Sequence, residues 1–93
     1  MEGETVLIAF DSTQQALRAE MLLEYADIEI DTRPTPKEIT AGCALSIEFP
    51  LPDYAQAKTI IEEQQVVIRG YFRQFSDRYE EIDGKGNRKE QVK

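Results

Sequence analysis

The residues best suited to chemistry lie in one stretch, Arg33-Pro34-Thr35-Pro36-Lys37-Glu38-Ile39-Thr40-Ala41-Gly42-Cys43, which holds the only cysteine of the 93-residue chain. A thiolate is a nucleophile that exchanges with disulfides and persulfides, so Cys43 is the first candidate for a reactive group. The stretch reads as a rigid connection. Thr35 can cap a short helical turn with Pro36 at its first position and Glu38 reaching back, and Gly42 supplies a left-handed residue that ends it. Arg33 and Lys37 flank the loop and favour a thiolate, whereas Asp11 and Glu38 oppose one. The competing role for Cys43 is packing. It shares a strand face with Leu45 and Ile47, and burial among apolar groups raises a thiol pKa above its reference of about 8.5 and makes it inert. On that reading Pro34 and Pro36 only stiffen a β-β connection.

The rest of the composition narrows the chemistry. One cysteine forbids an internal disulfide and disfavours a dithiol oxidoreductase, and the absence of histidine removes the usual zinc sites and the Ser-His and Cys-His nucleophile pairs. One thiol with scattered carboxylates is no recognisable metal set, and no motif puts a general base beside a nucleophile. Independent catalysis, a metal and a cofactor are therefore not expected. The net charge is −7, and residues 1–75 account for all of it with 6 Lys+Arg against 13 Asp+Glu. So acidic a surface repels a phosphate backbone and anionic lipid, which leaves proteins as the expected partners. No apolar run approaches the roughly 20 residues that span a bilayer, and Met1-Glu2-Gly3-Glu4 is the wrong opening for a secretory signal, so a cytoplasmic protein is expected.

Four strands and two helices must position Cys43. Thr5 to Phe10 is a near-continuous apolar run, as in a central strand covered on both faces. Ser12 with Gln15 forms a capping box for a helix through about Tyr25, whose stripe is Ala16, Leu17, Ala19, Met21, Leu22, Leu23 and Ala26. Asp27 makes a turn, and Ile28 to Arg33 alternates like a charged edge strand. Cys43 to Phe49 alternates again, stopped by Pro50 and Pro52. Asp53 with Gln56 opens a second helix to about Gln65, and Val66 to Phe75 makes a fourth strand. The order β-α-β-β-α-β with right-handed crossovers predicts an α+β, ferredoxin-like two-layer sandwich with strand order 4-1-3-2 and both helices on one face. The domain is expected over residues 1–75. Residues 76–93 read as a polar tail in which Arg78 to Ile82 and Arg88 to Val92 form either a hairpin or a frayed terminus.

This topology sets the start of strand three beside the end of strand one. Cys43 is thus expected to neighbour Phe10, Asp11 and Ser12, where the positive end of the first helix favours a thiolate. The uncovered sheet face, with Leu7, Ala9, Ala44, Ser46, Val67 and Tyr71 and with Arg69 and Arg73 at its rim, is apolar enough to bury against a twin subunit or another protein.

The spacing Pro34-x-Pro36-x-x-Ile39-Thr40-x-Gly42-Cys43, preceded by a strand ending in Phe10 and a capped helix containing Ala16 and Glu20, resembles the selenium/sulfur carrier protein-like family of small bacterial domains. The resemblance covers roughly residues 4–75. It implies that Cys43 carries a persulfide or its selenium equivalent, with Gly42, Pro34 and Pro36 shaping the loop, and that donor and acceptor proteins are the partners. Ala44 stands where the family often has a second glycine. Two readings follow: a one-cysteine sulfur or selenium carrier, or a non-catalytic interaction module that works through its open sheet face, as a homodimer for instance.

Overall fold

A computed structural model of the chain describes residues 4–75 and 78–82. The elements are β1 (Thr5–Ala9), α1 (Thr13–Tyr25), β2 (Asp31–Pro34), β3 (Leu45–Pro50), a 3-10 turn (Leu51–Asp53), α2 (Tyr54–Glu63), β4 (Gly70–Phe75) and β5 (Arg78–Ile82). They form an α+β fold with one antiparallel sheet in the order β2-β3-β1-β4-β5. Read from β4, the first four strands lie 4-1-3-2. The order expected from the sequence had no fifth strand; Arg78–Ile82 adds one beyond β4 instead of belonging to a separate tail. The second half of the expected hairpin, residues 88–92, lies outside the described residues.

The central strand β1 is apolar because both of its faces are covered. Val6 and Ile8 point to the helices, where their partners across the sheet are Phe49, Ile47 and Tyr71. Leu7 and Ala9 point the other way and are also buried, with Ile39. Helix α1 meets the first face through Ala16, Ala19 and Leu23, and α2 through Ala57 and Ile61. Two alanines let α1 approach closely, and burying a side chain such as Leu23 contributes roughly 1.5–3 kcal/mol. Leu17 and Met21, expected in this stripe, instead face solvent at 49% and 67% exposure. They stand on the far side of the helix from Ala16, Ala19 and Leu23, as its 3.6-residue period requires.

Both helices end in the same way. Asp27 and Gln65 have φ of 65° and 56°, and each follows a capping residue, Ala26 or Gln64. The N–H of Asp27 bonds to Glu24 O and that of Ile28 to Leu23 O; Gln65 bonds to Glu62 O and Val66 to Ile61 O in the same pattern. These are Schellman closures, each with an apolar pair, Ile28 with Leu23 and Val66 with Ile61, buried across it. The closures correct two expected strand starts. Ile28 and Val66 finish helices, so β2 begins at Asp31 and β4 at Gly70.

The capping expectations divide. Ser12 accepts from the Gln15 N–H at 3.4 Å, but Gln15 turns its own carbonyl oxygen to the Val67 N–H at 2.9 Å. Asp53 makes no side-chain cap, because the 3-10 turn with Pro52 near its start leads straight into α2. Among the described residues no helix is long and apolar enough to cross a membrane.

Candidate functional site

The site is built where the connection from β2 to β3 rounds the end of β1. Residues 35–44 leave the sheet edge, bury Ile39 against Leu7 and Ala9 on the face away from the helices, and return Cys43 to the helix-side core. The segment therefore straddles the sheet. Its base is closed by the Thr35 N–H bonding to Ala44 O at 2.8 Å, and one turn inside it the Ile39 N–H bonds to Pro36 O at 3.0 Å. Thr35 does not cap that turn. Its hydroxyl donates to Cys43 O at 3.1 Å and lies 2.6 Å from Ser46 Oγ. A hydroxyl has one proton to give, so with the Thr35 proton on the carbonyl, Ser46 donates to Thr35. That pairing explains how Ser46 sits fully buried among apolar side chains.

Gly42 ends the segment by a different device from the one its sequence suggests. It does not adopt the left-handed backbone. Its N–H donates to Asp11 Oδ1 at 2.7 Å, and a Cβ built on it would stand 2.8 Å from the Asp11 carbonyl oxygen. Close approach to Asp11, not turn geometry, requires the glycine. The next N–H, that of Cys43, bonds to Phe10 O at 3.0 Å, so the expected neighbours of Cys43 are in place.

Cys43 is a free thiol, 4% exposed. Its Sγ lies 3.2 Å from Thr13 Oγ1 and accepts from the Leu45 N–H at 3.3 Å. Thr13 is the first residue of α1, and Ser12 is its cap, so the thiol rests at the helix start. Both groups at Sγ can donate a hydrogen bond to a sulfur anion, and neither is a base that removes a proton from a thiol.

Of the residues singled out in the sequence, Cys43, Gly42, Ser12 and Asp11 converge here. The flanking groups do not all follow. Arg33 pairs with Glu48 at 2.9 Å beside Thr5, Leu7 and Phe72, on the sheet face opposite the thiol. Lys37 and Glu38 are exposed on the outer turn, Pro34 closes β2 opposite Leu45, and Pro36 is half-buried at the start of the turn. The second cation that reaches the segment is Arg69, whose Nε donates to Thr40 O at 2.9 Å while its N–H bonds to Ala9 O at 2.7 Å.

The face expected to be open is also rearranged. Tyr71, opposite Ile8, belongs to the helix-side core and meets the Tyr54 ring edge-on at 5.2 Å. Arg73 pairs with Glu4, and Val67 precedes β4 as an exposed residue. Leu7 and Ala9 remain on the far face but under Ile39, with Ala41, Phe72 and Tyr79 packed around them. Thr13 and Arg69 were not legible as loop contacts. The only hint of Thr13 was its place one residue after a cap that had to lie beside Cys43.

A family model described as "Putative Se/S carrier protein-like" matches residues 5–73, well over half of the chain and inclusive of Cys43 and the whole segment before it. Neither the curated proteins nor the solved structures gave a match.

Proposed function

From the membership of this chain in the selenium/sulfur carrier protein-like family, we propose that it carries a sulfane sulfur or selenium atom on Cys43 between a donor and an acceptor protein. The fold in which it does so is read as a ferredoxin-like sandwich extended by β5. The observation that supports the reading best is the surroundings of Sγ: the one thiol of a family-matched segment lies between the Thr13 hydroxyl and the Leu45 N–H, two groups that can hold an anionic sulfur.

Loading is an exchange without net redox change. The Cys43 thiolate uses a lone pair to attack the outer sulfur of a donor persulfide, an Sγ–S bond forms, and the donor S–S bond breaks with its electron pair leaving on the donor thiolate. Delivery reverses the roles. An acceptor thiolate attacks the outer sulfur on Cys43, and the Cys43 thiolate leaves. Selenium follows the same course as a perselenide. The Thr13 and Leu45 donors serve the two anionic states of Cys43 and take no part in bond making.

The test is intact mass after the reduced, folded protein meets cysteine persulfide. We expect one added sulfur, removed by a dithiol reductant and absent from Cys43→Ser. Sulfur gained only after unfolding in urea would end the carrier reading, because Cys43 would then be a core residue with no access in the native state.

A further inference from the structure

A carrier thiol that is 4% exposed needs a route to its reagent, and the contacts of residues 35–44 indicate one. The segment is fixed at its base by Thr35, Ala44 and Ser46. Beyond that base its holds are few and separable. Ile39 is buried, 7% exposed, against Leu7 and Ala9; Thr40 O is held by the exposed side chain of Arg69; Gly42 N–H is held by Asp11 Oδ1. Pro36, Lys37, Glu38 and Thr40 add no residue to the core. Local opening draws on segments with few buried apolar contacts and with exposed hydrogen bonds, and between its base and Cys43 this one has one large apolar anchor, Ile39, with the small Ala41 packed beside it.

We propose that residues 36–43 form a strap that opens as a unit while the sheet and helices stay folded, and that Ile39 and Arg69 are the residues that set how often it exposes Cys43. The coupling is mechanical. Ile39 and Cys43 lie on opposite faces of the sheet, joined by three residues that pass the end of β1. Once Ile39 leaves Leu7 and Ala9 and Thr40 O leaves Arg69, the hold of the strap on the helix start is reduced to the Gly42 bond to Asp11, the Cys43 bond to Phe10 and the Sγ contact with Thr13. Anything that docks on the far face and displaces Ile39 thereby uncovers the thiol on the other side, whatever atom the thiol carries.

The experiment is alkylation of Cys43 by iodoacetamide in the folded protein, with urea unfolding measured on each variant. Ile39→Ala removes the anchor and Arg69→Ala removes the hydrogen bond. Leu51→Ala is the comparison, since Leu51 is held at the opposite end of β1 through its N–H to Glu4 O. We expect alkylation to quicken about tenfold or more in Ile39→Ala and about fivefold in Arg69→Ala. Leu51→Ala should lose stability with little change in rate. If Ile39→Ala does not fold, Ile39→Val and Arg69→Ala carry the test. Alkylation that follows global stability in every variant, Leu51→Ala included, overturns the strap, because exposure would then require whole-domain unfolding. Faster alkylation in the strap variants of a protein that takes no sulfur from cysteine persulfide keeps the strap and removes the carrier assignment. Sulfur uptake by a protein whose rates follow global stability does the reverse.

Discussion

Gly42 and Asp11 are joined twice: the Gly42 N–H donates to Asp11 Oδ1 at 2.7 Å, and the Asp11 carbonyl oxygen occupies the place a Gly42 Cβ would need, 2.8 Å away. The obstacle is backbone, which cannot rotate aside as a side chain can. Gly42→Ala should therefore destabilise the protein by about 1–3 kcal/mol through overpacking. It should also loosen the Cys43 N–H bond to Phe10 O one residue on. Urea denaturation measures the first effect and hydrogen exchange at the Cys43 amide the second. An alanine variant as stable as the parent would show that the two backbones separate without penalty.

The Thr35–Ser46 pair offers a second test. Thr35→Val leaves Cys43 O and the buried Ser46 hydroxyl without their partner, and a buried polar group so stranded costs about 1–3 kcal/mol. Ser46→Ala removes one of the stranded groups. The double variant should accordingly be less destabilised than the sum of the single ones, by about 0.5 kcal/mol or more, in a double-mutant cycle read by urea unfolding. Strict additivity would mean that the 2.6 Å contact carries no coupling.

The helix α1 stripe separates what a hydropathy pattern can and cannot tell. Leu17, Met21 and Leu23 look alike in sequence, yet Leu23 is fully buried while Leu17 and Met21 are exposed. Leu23→Ala should cost about 2–5 kcal/mol, and Met21→Gln should fall within about 0.5 kcal/mol of the parent. Thermal or urea unfolding distinguishes them directly. A large loss at Met21 would mean that its exposed face is covered in solution.

Element order and the place of Cys43 beside Phe10 followed from apolar runs, Pro and Gly punctuation and the crossover rule, because these act through local spacing and handedness. What was not legible came from contacts between distant residues. Ile28 and Val66 have strand-like side chains, but their amides close helices, which only the αL turns at Asp27 and Gln65 reveal. Tyr71 lies on the helix side because it pairs with Ile8 and not with Leu7 or Ala9, and this register, not the β-rich composition of the segment, fixes which side a residue takes. The glycine at position 42 signalled a special backbone site. It could not say whether conformation or close approach demanded it.

Gln65 supplies the last test, since it is an ordinary residue in a left-handed position. Its φ is 56° where α2 closes, its amide bonds to Glu62 O, and its side chain is exposed. A non-glycine residue in this region carries about 1–2 kcal/mol of strain between its Cβ and the following carbonyl. Gln65→Gly relieves that strain but frees the unfolded chain, which offsets part of the gain. The net expectation is stabilisation of up to about 1 kcal/mol, seen as a higher urea midpoint with unchanged slope. Asp27→Gly, at the matching position after α1, should gain less, because a short polar side chain tolerates the left-handed region better than glutamine. An equal or larger gain at Asp27 would mean that the strain lies in the helix closures themselves and not in the side chain each one has to accommodate.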